Sequence, residues 1–203
     1  MNVYDFDETI YYGDSTVDFF QYCLLHYPAM VVTLPNTGVQ FLRYFAKRQS
    51  KTRCKEQMYR FLRCIGDTPR VVEKFWESHI GNIKPWYIQK LRKPDDVVIS
   101  ASPEFLVAPA CKMLGISNVM ASRVDPYTGI YEGVNCWGEE KVRRFYEVFG
   151  EGTTIDAFYS DSLSDTPLAR LAQEAWIVRD DQLVHWDVWE QKHGKKKLMQ
   201  ETR

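Results

Sequence analysis

In the opening stretch Met1-Asn2-Val3-Tyr4-Asp5-Phe6-Asp7-Glu8-Thr9, a short apolar run meets two carboxylates spaced two residues apart. Asn2-Val3-Tyr4 reads as a short buried strand. Side chains alternate along extended backbone with period two, so Asp5 and Asp7 at the strand's end can both face one site. Two carboxylates held together repel unless something offsets their charge. On one reading they merely end the strand and Thr9 starts a turn. On the other they serve a hard divalent cation with oxygen ligands, usually Mg2+, which commonly also holds a substrate phosphate.

Three later segments favour the second reading. Val97-Val98-Ile99-Ser100 is an apolar strand ending in a hydroxyl, and Lys141 stands in Gly138-Glu139-Glu140-Lys141-Val142. Tyr159-Ser160-Asp161-Ser162-Leu163-Ser164-Asp165 is acidic and follows a strand-like Ile155-Asp156-Ala157-Phe158. Each is weak alone. Taken in order with Asp5-Phe6-Asp7-Glu8-Thr9, they make the chain resemble the haloacid dehalogenase-like phosphohydrolases, whose first motif is Asp-x-Asp-x-Thr/Val. The four motifs span residues 5–165.

Composition is that of a compact globular protein. A chain of 203 residues can bury a sizeable core and sits between one domain and two. It is 45% hydrophobic and 14% aromatic, far from disorder. The formal charge of −1 argues against a nucleic-acid partner, and the basic cluster Lys195-Lys196-Lys197 reads as a solvated tail. The five cysteines (Cys23, Cys54, Cys64, Cys111, Cys136) form no Cys-x-x-Cys pair and are odd in number, which suits reduced thiols. The start of the chain leaves no room for a signal peptide, and no apolar run reaches a membrane-spanning length, so a cytoplasmic protein without an integral membrane segment is expected. Oligomeric state is not legible.

Residues 14–93 have helical apolar spacing: Val17, Phe20, Cys23 and Leu24; then Val39, Leu42, Tyr44 and Phe45; then Met58, Phe61, Leu62 and Ile65; then Val72, Phe75 and Trp76. Asp14 or Ser15 suits the cap of the first helix and Pro69 the start of the last. Residues from 95 onward alternate between strand and helix patterns: a strand at 97–100, a helix at 104–114, a strand at 118–122, a helix at 139–149, a strand at 155–160, a helix near 165–173 and a strand at 175–178. A hairpin is expected within 123–134, around Pro126-Tyr127-Thr128-Gly129. The expected fold is α/β: a Rossmann-like, doubly wound parallel sheet built from residues 1–13 and 94–203, with a small α-helical cap inserted at 14–93. That layout resembles the phosphoserine-phosphatase-like branch of the family.

The resemblance implies an Mg2+-dependent phosphatase acting on a small phosphomonoester. It makes Asp5 the nucleophile of an aspartyl-phosphate and Asp7 the general acid and base. Dehalogenases and cation-pumping ATPases lack an acid at the position of Asp7, so its presence favours phosphate-ester chemistry. The metal would be held by the carboxylates of Asp5 and Asp161 and the main-chain carbonyl of Asp7. Ser100 and Lys141 would stabilise the phosphoryl oxygens, joined by the amides of Phe6, Asp7 and Ala101. Asp165 would orient a metal-bound water or support Lys141. Thr9 and Ser162 complete the candidate set, although Ser160-Asp161-Ser162 replaces the family's Gly-Asp-Gly/Ser and Ser164 stands where asparagine is frequent. Asp14 occupies the position of a substrate-binding glutamate in phosphoserine phosphatases, and is equally a helix N-cap. Arg43, Arg53, Arg60 and Arg63 are candidates for a carboxylate-binding arginine. Tyr11, Tyr12, Trp86 and Tyr87 are candidates for an aromatic pocket, with core packing the default for the tryptophan. The apolar residues 27–34 suit buried packing better than a lipid surface. Alternatives to a metabolite phosphatase are a phosphomutase, a phosphatidylglycerophosphate phosphatase and a non-catalytic phospho-ligand-binding module.

Overall fold

The computed structural model of the chain describes residues 1–33 and 51–201. Six strands form one sheet in the order β3-β2-β1-β4-β5-β6: β1 is Asn2–Tyr4, β2 Val97–Pro103, β3 Asn118–Ser122, β4 Ile155–Ser160, β5 Ala172–Arg179 and β6 Gln182–His185. All neighbours are parallel except β5 and β6. β1 lies between β2 and β4, with Val3 opposite Val97 on one side and Phe158 on the other. The strand order reverses there, and such a switch point opens a crevice at the carboxyl ends of the strands.

The alternation of β1 assigns the two faces. Val3, Val97, Ile99, Ile155 and Phe158 face a core completed by Phe145 of helix α5 (Glu139–Phe149) and Trp186 at the start of α7 (Trp186–Glu201). Tyr4, Val98, Ala157 and Tyr159 face the other way, onto Leu106, Val107 and Ala110 of α4 (Glu104–Met113). A short helix, α6 (Thr166–Ala169), follows β4. Helices on both faces of a mostly parallel sheet meet the expectation of a doubly wound fold.

Helices also fill the connection from β1 to β2: α1 (Ser15–His26), α2 (Lys51–Met58) and α3 (Thr68–His79), with 3-10 turns at Pro28–Thr33 and Tyr59–Cys64. Asp14 caps α1 through Oδ1, which accepts from the amides of Thr16 and Val17. Asp67 caps α3, with Pro69 in its first turn. Phe19 of α1 and Phe75 and Trp76 of α3 share a continuous core with Tyr4, Phe6 and α4, and the Trp76 indole donates to the Leu106 carbonyl at 2.7 Å.

Several details depart from the sequence reading. On α1, Cys23 is buried and Phe20 and Leu24 pack partly buried against the core as expected, joined by Phe19, whereas Val17 is exposed. β2 runs three residues past Ser100, and its register with β3 slips between Ile99 and Pro103. The helix expected near 165–173 is only Thr166–Ala169, because β5 already begins at Ala172. β6 and α7 carried no expectation; Asp180 makes the turn from β5 into β6 possible by taking a left-handed φ of 54°. The 123–134 hairpin reduces to one antiparallel bridge, Val124 with Tyr131, around a turn in which Asp125 accepts from Tyr127 and Thr128. Tyr11, Trp86 and Tyr87 are core residues. Met30 is buried and Val31 exposed. Pro35, Val39, Leu42, Arg43, Tyr44 and Phe45 lie outside the described residues, as do the side chains of Val32, Arg53, Cys54, Lys195, Lys196 and Lys197. Among the described residues, no helix is long and apolar enough to cross a membrane.

Candidate active site

Asp5 is the first residue past β1, and its amide still donates to the Tyr159 carbonyl of β4 at 2.9 Å. That bond sets Asp5 in the crevice at the switch point. Lys141, in the first turn of α5, reaches it with Nζ 3.0 Å from Asp5 Oδ2 and 2.8 Å from Asp165 Oδ2. Lys141 and Asp165 are each 1% exposed and Asp5 14%. Three segments remote in sequence therefore meet in one buried ion triad. Burial works against the Lys141 charge, but the Asp165 and Asp5 carboxylates outweigh it and raise the lysine above its ordinary range. Asp5 is raised well above the usual carboxylate range by burial. Lys141 opposes that shift, while the charges of Asp165, Asp161 and Asp7 add to it.

Asp7 sits on a separate scaffold. Its Oδ1 accepts from the Ser15 amide at 2.7 Å, and its Oδ2 from the Ser102 hydroxyl at 2.5 Å. Ser102 Oγ is also 3.1 Å from Thr16 Oγ1. Burial, then the nearby Asp14 charge, push the Asp7 carboxyl up to about 6 against the pull of those hydrogen bonds. The loop carrying Asp7 is tight: the Phe6 carbonyl accepts from the amides of Thr9, Ile10 and Tyr11, and Glu8 takes a left-handed φ of 56°. Buried Lys84 pins that turn by donating to the Glu8 and Asp180 carbonyls.

The fourth segment is tied to the first. Thr9 Oγ1 accepts from the Asp161 amide at 3.0 Å, and Ser160 Oγ donates to Asp165 Oδ2 while accepting from the Ser162 amide. The serine that replaces the family's glycine thus holds the acidic loop in place. Ser162 Oγ in turn accepts from the Ser164 amide. Ser100 is fully buried, with Oγ accepting from the Ser102 amide at 3.0 Å. Ser100 has only one proton to donate, and this bond leaves it available. The Phe6 amide donates to Asp5 Oδ1, while the Phe6 ring packs in the core between Tyr11 and Trp76. Asp14 is spent on capping α1.

The donor set fits a hard cation. Asp5, Asp7, Asp161 and Asp165 crowd the crevice, and burial followed by the Asp165 charge also raises Asp161, with Arg179 and Lys141 opposing. Asp165 Oδ1 is buried without a hydrogen-bond partner. Among the described residues, no hydrogen bond or ion pair engages the Asp161 carboxylate, and no three His, Cys, Asp or Glu side chains converge as a metal cluster. A set of two carboxylates and one main-chain carbonyl needs no such cluster.

Sequence reasoning missed Ser15, Ser102, Lys55 and Lys84. Only Ser102 left a signal, since Ser100 and Ser102 share a face once β2 is extended through both. Lys55 of α2 donates to the Ala101 carbonyl at 3.1 Å and to Asn135 Oδ1 at 3.2 Å.

Comparison with known proteins agrees with this layout. A histidinol-phosphatase of Neisseria meningitidis is 33% identical over 116 residues, 51% of this chain and 52% of that protein. A Mycobacterium tuberculosis protein described as a probable phosphatase is 36% identical over 98 residues, 45% of this chain and 34% of its own length. The matches thus span about half or less of these curated relatives. Among solved structures, a Bordetella pertussis Tohama I protein of unknown function superposes with a TM-score of 0.73 at 20% identity, covering 86% of this chain and 87% of its own. A phosphoserine phosphatase holding a phospho-aspartyl intermediate analogue gives 0.52 at 17% identity, covering 85% and 83%. The model of the family described as haloacid dehalogenase-like hydrolase matches residues 3–170, and the chain belongs to that family.

Proposed function

We propose that the chain is an Mg2+-dependent phosphatase that hydrolyses a small phosphomonoester through an aspartyl-phosphate on Asp5. The observation that carries this reading is the separation of two acids onto two scaffolds. Asp5 is in an ion triad with Lys141 and Asp165, and Asp7 is held by Ser15 and Ser102 with its carboxyl raised to about 6. Two carboxyls pushed into different environments are the usual basis for a nucleophile and an acid in one site.

Asp5 attacks phosphorus in line, and the bond to the leaving oxygen breaks as Asp7 delivers a proton to that oxygen. Asp7, now ionised, takes a proton from the water that attacks the phosphorus of the aspartyl-phosphate. Phosphate leaves, and the Asp5 carboxylate is restored. Lys141 offsets charge on the phosphoryl oxygens, and the Ser100 hydroxyl donates to one of them. Asp5, Asp161 and the Asp7 carbonyl would hold Mg2+, which when bound offsets phosphoryl charge as a Lewis acid. The helices between β1 and β2 act as a cap that limits water access.

The test is turnover of an aryl phosphate with Mg2+, repeated with EDTA and with Asp5→Asn. Activity that survives both treatments refutes the mechanism. A panel of phosphorylated metabolites ranked by kcat/KM then identifies the ester. Histidinol phosphate belongs in it because a 33% identical relative is a histidinol-phosphatase. Phosphoserine and a micellar lipid phosphate belong as the contrasting arms.

A further inference from the structure

The hydroxyl and amide donors around Ser100 depend on one peptide unit, and that unit is held both by a side chain of β3 and by one from outside the sheet. The Ala101 carbonyl accepts from Lys55 Nζ at 3.1 Å and from Ser122 Oγ at 2.9 Å. The amide of the same peptide, carried by Ser102, donates to Ser100 Oγ at 3.0 Å. Amide and carbonyl of a trans peptide point in opposite directions in one plane, so fixing the carbonyl aims the N–H. The N–H in turn occupies the acceptor side of Ser100 Oγ and leaves its proton to point into the crevice.

Hydrogen counting shows what the lysine adds. Ala101 O and Asn135 Oδ1 are both acceptors, and both lie near Ser122 Oγ, which has a single proton. Tyr131 offers Asn135 one more, at a long 3.4 Å. Lys55 reaches both acceptors and adds a charged donor to each, closer to Asn135 than the Tyr131 hydroxyl is, in a largely buried setting. Lys55 belongs to α2, which seats on the core through the same neighbourhood. The Tyr131 amide donates to Glu56 Oε1 at 3.2 Å, and a Cβ on Gly129 would fall 2.6 Å from the Tyr59 carbonyl.

We infer that Lys55 is a positioning residue that couples the seating of α2 to the phosphoryl-donating orientation of Ser100. The inference rests on the proposed phosphoryl site. It assigns the Lys55 ammonium to the protein's own carbonyl, with no contact to the reacting atoms.

A double-mutant cycle with the full chain and Mg2+ tests it, using Lys55→Met, Ser100→Ala and the pair. Lys55→Met should lower kcat/KM for an aryl phosphate about tenfold to a hundredfold, less than the ~10²–10³-fold attached to losing a direct donor. Acting through Ser100, it should cost almost nothing further in the Ser100→Ala background. A merely structural lysine would lower activity equally in both backgrounds, and that result overturns the inference, as does an unchanged kcat/KM. Inorganic phosphate binding by calorimetry gives a second reading. Lys55→Met should weaken it about fivefold, the worth of one hydrogen bond, and not at all beside Ser100→Ala. If the wild type binds phosphate but turns nothing over, the phosphatase reading fails and the calorimetric cycle still judges Lys55. If it does neither, both fail. Should Lys55→Met melt early, Ser122→Ala removes the other donor to Ala101 and is expected to show the same dependence on Ser100.

Discussion

Lys141 touches two carboxylates of the site at once, so its loss reads out in two ways. Lys141→Met leaves Asp5 and Asp165 facing each other in a buried pocket, and is expected to cost about 3–5 kcal/mol of stability as well as nearly all activity. Thermal melts and aryl-phosphate turnover check both. Asp5→Asn should abolish turnover while the melt changes little, because it removes one charge from an acid-rich cluster. Asp7 gives the pH dependence. Its folded pKa, about 6, lies above the ~3.9 of a free aspartate, so the folded state binds the proton more tightly. Its contribution is fully present below the unfolded value and is lost as pH rises through about 6. In EDTA, Asp7→Asn is therefore expected to stabilise the fold at pH 8 by an amount of order 1 kcal/mol, and to lose that advantage below about pH 4. The same substitution should cripple turnover of alkyl phosphates more than of activated aryl phosphates, because only the former need a proton on the leaving oxygen. That Asp5, Asp7, Ser100, Lys141 and Asp161 belong together was legible in the sequence because the proposed chemistry restricts residue type at those places. Ser15, Lys55 and Lys84 were not. Ser15 acts through its backbone amide, which any residue supplies, and the carbonyls that Lys55 and Lys84 reach leave no trace in residue type.

Helix ends and one turn carry the element-scale expectations. Asp67 accepts from the Arg70 amide at the start of α3, and Asp67→Ala should remove about 1 kcal/mol, some 2–4 °C of Tm for a chain of this size. Gly129 combines a φ of +74° with the close approach to Tyr59, so Gly129→Ala pays for the left-handed backbone and must also lift the turn off the insertion. We expect a loss of about 1–2 kcal/mol together with a raised KM for phosphate esters, seen in melts and in steady-state kinetics. At this scale the sequence was readable wherever period and punctuation agreed. α5 runs from Glu139 to Phe149 and ends at Gly150, with φ +88°, as its pattern requires. It was unreadable where local signals conflicted. Residues 165–173 have helical spacing, but pairing of β5 with β4 from Ala172 captures the end of that run. The β5–β6 turn at Asp180-Asp181 has no glycine to announce it.

Across the whole molecule, the three-residue strand β1 occupies the middle of the sheet and pairs only with distant segments, Val3 with Val97 and with Phe158. The helix-rich connection and the packing of helices on both faces of the sheet were legible from alternation of patterns. The continuity of the core across α1, α3, α4 and Tyr4 was not, because amphipathic spacing says which face is buried and not against what. The placement of β1 has a consequence for how the chain comes into being. During synthesis β1 emerges with no partner for its backbone, and β4 follows only about 150 residues later. Long-range pairing of this kind is slow because loop closure must be paid before any contact rewards it. A chain released at residue 154 should therefore show helical circular dichroism without a cooperative melt. The chain of residues 1–203, refolded from denaturant, should gain helix well before it gains affinity for phosphate. Nascent Val3-Tyr4 is left as an uncovered edge in the interval, and aggregation during expression is expected to track the time to complete β4 more closely than the final stability.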